Sequence, residues 1–147
     1  MSAFLGLTDA VVTVLSAATA LADGHIRRGR GVPVPTAWSS AIDVHVQRST
    51  ADVAYLTGAL MVWDTLIGID VYARAAAGTD GEAAIDTLLA AVFTRMSAAT
   101  PPTGALAWTF DPVIQWDVSE ADQTVAQASL VLRVRHYTST DLSASAG

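Results

Sequence analysis

The chain has 147 residues, which suits a single domain whose core needs neither a disulfide nor a metal to fold. It contains no cysteine, so thiol catalysis, cysteine-based zinc sites and disulfide frameworks are excluded. Its 14 acidic residues against 8 arginines, with no lysine, give a net charge of -6. The chain is therefore a poor candidate for wrapping nucleic acid, whose phosphate backbone is itself negatively charged.

The first half of the chain predicts one helix and two strands. Apolar residues at steps of three and four predict an amphipathic helix over about 8–23, with Thr8 as its N-cap. Glycines and prolines predict an extended arm over about 25–38. Alternating apolar and polar residues then predict strands at 42–47 and 63–74. The apolar stretch 49–62 between these strands is compatible with a helix or with an interface element.

The second half begins with a helix signal. Thr79 and Glu82 match a capping box, and a helix is predicted from there to about Ala98, where two prolines follow. The spacing of its apolar residues predicts one buried stripe. That stripe comprises Ile85, Leu89, Val92 and Met96.

The last third of the sequence predicts β-structure. A strand is predicted over 106–118, interrupted at Asp111 and Pro112, and a turn follows at 119–122. The next strand, 124–138, shifts its alternation, which predicts a bulge near Gln127. At about 50 Å this strand must bend, or extend past its own domain to pair with a neighbour.

These elements predict an α+β domain over residues 1–140, in the order α-β-β-α-β-β. Two helices would pack on one face of an antiparallel or mixed sheet of about four strands. Residues 141–147 are predicted to be a disordered tail.

The sequence carries no motif of a known catalytic or nucleotide-binding site. Neither a phosphate-binding loop, a serine-hydrolase elbow nor a zinc-protease motif occurs, and His25, His45 and His136 lie far apart in the sequence. We therefore expect no catalysis, no cofactor and no metal. The apolar stretch 53–72 contains Asp64 and Asp70, which argues against a membrane span.

Arginines and tryptophans are the candidate contact residues. Arg27, Arg28 and Arg30 form a charge cluster in the arm, which would contact a neighbour's acidic surface, DNA, or only solvent. Trp38, beside the arm, is either an interface anchor or a core residue.

Two further arginines share one face of the last strand. Arg133 and Arg135 are like charges at neighbouring positions of that face, which predicts carboxylates of another subunit opposite them.

The segment 108–140, WTFDPVIQWDVSEADQTVAQASLVLRVRHYTST, resembles the C-terminal part of the tail terminators of tailed bacteriophages. That family includes minor tail protein U of lambda-like phages, and the likeness in element order extends over about residues 5–138. The resemblance implies a virion protein at the head-proximal end of the tail, made in the host cytoplasm. It implies a homo-oligomeric ring, a hexamer, that caps the tail tube protein, ends tail growth and presents a surface to the head–tail connector. DNA would pass through the ring without specific binding.

Two other interpretations remain open. Another neck or tail-completion protein would share this size and composition. A small-ligand-binding α+β domain would instead show a concave apolar pocket with several convergent polar groups. The 52% hydrophobic content fits buried interfaces in an assembly, but it also fits a chain that is merely rich in alanine.

Overall fold

The computed structural model describes residues 1–17, 19–29, 33–52, 60–75, 80–120 and 124–145 of the chain. They form two α-helices, one 3₁₀ turn and six strands. In chain order the elements are α1 (Ala3–Ser16), the 3₁₀ turn (Leu21–Gly24), β1 (Ile26–Arg28), β2 (Ser40–Ala51), β3 (Leu60–Ala75), α2 (Gly81–Ala98), β4 (Ala105–Phe110), β5 (Gln115–Glu120) and β6 (Thr124–Ser139).

The six strands form one mixed sheet. β1 is parallel to β2, and the other strand pairs are antiparallel. The spatial order is β1-β2-β3-β6, and the far side of β6 is shared by β5 and β4. The predicted α+β class with two helices is confirmed, but the prediction of about four strands was wrong. Three-residue β1 is too short to show alternation, and Pro112, which cannot donate a ladder hydrogen bond, separates β4 from β5.

The longest ladder joins β3 to β6. Residues 60–75 pair with 124–139 over their whole length without a register shift. The predicted strand at 124–138 is confirmed, but its own chain occupies both of its sides, so it is not left to pair with a neighbour. The predicted bulge near Gln127 was wrong, because the small side chains of Ala126 and Ala128 continue the buried alternation.

Both helices pack on the same face of the sheet. The predicted stripe of α2 is confirmed, since Ile85, Leu89, Val92 and Met96 are buried against the strands. Ile67, Ile69 and Val71 of β3 face this stripe, as the alternation predicts. The core therefore lies between the helix layer and one face of the sheet. The remaining large buried side chains of this layer are Leu7, Val11, Leu15, Ile42, Val44, Leu130, Leu132 and Val134.

The predicted bounds of the first helix were wrong. α1 begins after Ser2 and ends at Ser16, and Thr8 lies inside it, where its hydroxyl donates to the carbonyl oxygen of Leu5 at 2.8 Å. The chain then makes the 3₁₀ turn, in which Ala22 and Asp23 have positive φ values and cannot continue a helix. Leu21 therefore lies in the 3₁₀ turn and not in the predicted α-helix.

Arg95 of α2 closes the C-terminal end of α1. Its Nη1 donates to the carbonyl oxygens of Leu15 at 2.7 Å and Ala17 at 2.9 Å, and its Nη2 donates to that of Thr19 at 2.8 Å. The last carbonyl groups of a helix lack partners within the helix and carry its negative dipole end. A cation from the second helix thus satisfies the end of the first.

The sheet face away from the helices is polar. Asp70 is fully buried there, and Ser129 Oγ donates to its Oδ1 at 2.7 Å. His45 Nδ1 lies 3.7 Å from the other carboxylate oxygen. Gly68 makes room for this arrangement, because a Cβ at that position would lie 2.5 Å from the His45 ring.

Two sequence predictions fall partly outside the described residues. In the stretch 49–62, residues 49–51 belong to β2 and 60–62 to β3, and 53–59 lie outside. In the predicted capping box, Thr79 lies outside. The N-cap of α2 is Asp80, whose carboxylate accepts hydrogen bonds from the backbone of Glu82 and Ala83.

Residues 141–145, assigned to a tail in the sequence analysis, fold back on β6. Ala144 pairs with Thr138 in an isolated bridge, and the Ala3 amide donates to the carbonyl oxygen of Leu142 at 2.8 Å. Hydrogen bonds from Ser139 and Ser143 lower the pKa of Asp141 in this turn. The turn thereby connects the end of β6 to the beginning of α1.

Candidate assembly surfaces

Arg27 and Trp38 form a cluster against the β1 edge of the sheet. Arg27 makes two hydrogen bonds to the carboxylate of Asp43, at 2.7 and 2.9 Å, and its guanidinium carbon lies 5.6 Å from the Trp38 ring centroid. Trp38 stacks on His25 with 4.0 Å between centroids. The side chains of Arg27 and Trp38 thus have partners in their own chain, and their contact with another protein stays a prediction.

Arg28, the second arginine of the predicted arm, forms an exposed ion pair with α1. Arg28 Nη1 donates to Asp9 Oδ1 of α1 at 2.7 Å, and both side chains are more than two-fifths exposed. Such an exposed ion pair stabilises a protein little and can be exchanged for a partner's charge. Arg30 lies outside the described residues.

Arg133 and Arg135 lie on the helix-free face of β6, as the alternation predicts. Arg133 pairs with Asp111, and Arg135 pairs with Asp64 at 3.1 Å and Asp52 at 3.4 Å. The fold itself brings three aspartates to these arginines, so the two like charges do not require carboxylates of another subunit. Their contact across a subunit boundary stays a prediction.

One edge of the sheet is formed by β4 and β5. Both pair with β6, and within the described part of the chain no strand pairs with their outer sides. Leu106, Val113 and Trp116 project along this edge with 51%, 59% and 45% of their surface exposed. An unpaired strand edge that carries exposed apolar side chains is a template for contact with another protein.

Carboxylates surround Trp116 on this edge. Asp80, Glu82 and Asp86, all exposed on the first turns of α2, line a shallow depression together with the Trp116 ring. Asp117, also exposed, lies on the opposite face of β5. We call β5 and these four carboxylates the acidic edge.

The opposite edge of the sheet is basic. β1 covers only residues 42–44 of β2, so the outer side of 45–51 has no strand partner in the described part of the chain. Arg48 is exposed there and forms no ion pair with a described residue. We call β1 and the second half of β2, with Arg28 and Arg48, the basic edge.

Sequence reasoning missed both edges as surfaces. Trp116 is one of four tryptophans, and it lies about thirty residues beyond the first turns of α2, so nothing local indicated that the two meet. Arg48 ends an alternating run beside the β2 bulge between Val46 and Arg48. The bulge was not predicted, and it decides the face on which Arg48 lies.

A cavity of about 350 Å³ lies between the start of α1, the loop before β4 and the end of β6. Its lining is mainly apolar and includes the buried ring of His136, whose Nε2 is 2.7 Å from Thr65 Oγ1. Burial lowers the pKa of His136, and the negative charge of Asp64 partly opposes this effect. The imidazole is consequently neutral at physiological pH.

Within the described ranges, no group of three His, Asp or Glu side chains is arranged to hold a metal ion. No helix among the described residues is both long and apolar enough to cross a membrane.

The fold is shared with a chain of a solved virion. No protein-family model matches the sequence, and no curated protein is significantly similar to it. Among solved structures, the chain is similar to one from the "Virion of native gene transfer agent (GTA) particle", at 24% sequence identity and a TM-score of 0.61. The likeness covers 92% of this chain and 98% of the other, so the two share a fold over nearly their whole lengths.

Proposed function

We propose that the chain is a structural protein of a phage-like virion, and more specifically a tail terminator. The observation that carries the proposal is the fold shared over 92% of the chain with a gene transfer agent virion chain. The resemblance of residues 108–140 to tail terminators, which rests on sequence alone, favours the specific role.

In this role, copies of the chain form a ring, a hexamer, on the finished tail tube. One side of the ring binds the tube protein and stops further addition, and the other is joined by the head–tail connector. The ring belongs to the head-proximal end of the tail, and DNA passes through it. The net charge of -6 supports passage of DNA without adhesion, since like charges repel.

The proposed role is structural and involves neither catalysis nor a cofactor. The cavity beside His136 is the feature that favours the alternative of a ligand-binding domain. A ligand site usually presents several convergent polar side chains on an apolar lining. The polar residues of this lining are Ser2, Thr103, His136 and Tyr137, and His136 alone among them is buried. The assembly role accounts for more of the molecule, because it also uses the two open edges of the sheet.

The function is tested by deleting the gene from the genome that carries it and imaging the particles by electron microscopy. Loss of a terminator should give tails longer than those of the parent and unattached to heads. Expression of the intact chain in trans should restore the parental length. Tails of parental length attached to heads would contradict the proposal.

The same experiment separates the alternative of another neck or tail-completion protein. Loss of such a protein should leave tails of normal length that fail to join heads, because tube growth would still stop correctly. A narrow length distribution with unattached tails would therefore favour a neck role over a terminator role.

A further inference from the structure

The sheet has two open edges that carry exposed charged side chains of opposite sign. The acidic edge carries four exposed carboxylates around β5 and the N-terminal turns of α2. The basic edge carries Arg28 and Arg48 along β1 and the second half of β2. A molecule with complementary opposite edges favours head-to-tail association of identical copies, and such contacts form a ring when the rotation between copies closes.

Strand directions permit this association. β2, β3, β6 and β5 alternate in direction, because each neighbouring pair is antiparallel. A second copy placed beside β5 in the same orientation would therefore present β2, and also β1, antiparallel to β5. Antiparallel pairing is the commoner arrangement of neighbouring strands.

Charges match on both faces of such a joint. On the helix side, Trp116 and the carboxylates of α2 would lie towards Arg28, whose position in the register places it on that face. In the sheet Asp117 is level with Tyr72 of β3, whereas Arg48 is level with Leu66. A shift of about six residues along the strands therefore sets Asp117 opposite Arg48 on the helix-free side, and with it Gln115 opposite Thr50. Arg48 lacks an ion-pair partner among the described residues. Complementary charge on two faces fixes the orientation of a contact as well as attracting the partner.

Trp116 supplies the apolar anchor of the acidic edge. Its ring is 45% exposed between carboxylates, a position that leaves its apolar surface in water in the isolated chain. Tryptophan is among the residues that contribute most to protein interfaces, and its ring attracts cations such as guanidinium.

We infer that the acidic edge of one copy docks on the basic edge of the next, so that a β-sheet continues from subunit to subunit. Trp116 is the central contact, and the joint is antiparallel between β5 and the β1–β2 edge. The inference rests on the proposed ring and names the surfaces that close it.

The absence of cysteine allows a direct test by cross-linking. Gln115→Cys marks the acidic edge and Thr50→Cys the basic edge, and both positions are exposed on the helix-free face. The two purified single-cysteine chains are mixed and treated with a bismaleimide that spans about 10 Å. Each chain alone is treated in parallel. One repeat of the continued sheet contains at least the four strands β2, β3, β6 and β5, or roughly 19 Å, so like-labelled neighbours in a head-to-tail ring stay out of reach of this linker.

Covalent dimers are expected in the mixture and not in either chain alone. Adding Trp116→Ser to the acidic-edge chain should reduce the cross-linked fraction about tenfold, as loss of a central interface residue does. Leu142→Ser is the matched control, because Leu142 is also exposed, at 38%, and lies beyond the end of β6. It should leave the fraction unchanged.

Three results would overturn the inference. Dimers of the Gln115→Cys chain alone would indicate that two acidic edges face each other. Absence of dimers in the mixture would exclude the joint, and equal effects of the Trp116 and Leu142 substitutions would remove its anchor. None of these results changes the tail-length experiment, so the proposed function can stand or fail separately.

Discussion

Arg95→Met tests whether a side chain of α2 holds the end of α1 in place. Methionine keeps most of the aliphatic stem but removes the three hydrogen bonds to the carbonyl oxygens of Leu15, Ala17 and Thr19. The bond to Leu15 is partly buried, and a hydrogen bond to a charged group of this kind contributes about 1.5–3 kcal/mol. The other two are exposed, so water replaces them at little cost.

Interaction of the cation with the negative end of the helix dipole adds about 0.3–1 kcal/mol at an exposed site. We therefore expect Arg95→Met to lower the free energy of unfolding by about 2–3 kcal/mol, measured by urea denaturation with fluorescence and circular dichroism. The slope of the transition should not change, since the surface exposed on unfolding stays nearly the same.

Ser97→Met is the matched control, because Ser97 is exposed near the end of the same helix and lies outside the two edges proposed to dock. Its effect should stay within about 0.5 kcal/mol, as is usual for surface substitutions. If Arg95→Met were equally mild, the helix end would not depend on the guanidinium, and the reasoning would be refuted.

Three further predictions test other parts of the structure. Gly68→Ala places a Cβ 2.5 Å from the His45 ring and should lower the midpoint of thermal unfolding, with a cost of about 1–3 kcal/mol. Gly6→Ala is the control, because a Cβ at this position of α1 meets no atom within 4 Å and alanine favours a helix more than glycine does, so the midpoint should rise. Equal shifts of the two midpoints would contradict the steric argument. Asp80→Ala removes the N-cap of α2 and should cost about 1 kcal/mol in urea denaturation; no measurable loss would show that the cap is dispensable. Because burial lowers the pKa of His136, the unfolded chain binds this proton more readily, so stability should fall as pH drops below the ordinary value of 6.5 and level off below the folded-state pKa. His136→Gln should weaken the difference between urea midpoints at about pH 7.5 and about pH 5.5, and an unchanged difference would rule out His136 as its source.

Elements whose signal is local were predictable from the sequence. The stripe of α2 follows from helical spacing alone, and the inward face of β3 from alternation. The interruption at Pro112 follows from the missing amide of proline. In each case the residues that decide the structure are neighbours in sequence.

Elements that depend on tertiary contacts were not predictable. The last carbonyl groups of α1 are satisfied by Arg95, about eighty residues later in the chain, and not by a local side chain. The same limit applies to charge pairs. Arg135 needs the register of β3 against β6 before Asp64 can be recognised as its partner. Arg133 and Arg135 on one face therefore suggested a subunit interface, although the same chain supplies carboxylates to both.

The candidate surface shows this limit most clearly. Tryptophan was a reasonable anchor on general grounds, but four were available, and exposure distinguishes Trp116 only once the sheet is assembled. The carboxylates beside it come from α2, and their contribution depends on how that helix packs against β5.

The long pairing of β3 with β6 also sets the order in which the molecule can mature. β4 and β5 have no described strand partner except β6, which follows both of them in the chain, so the edge they form cannot exist until residues 124–139 have left the ribosome. Pairing between segments so distant in sequence is slow to form. An incomplete chain therefore lacks the surface on which a second copy would dock. In the proposed assembly a chain would be able to dock only after β6 has paired, so growing chains would not join one another prematurely.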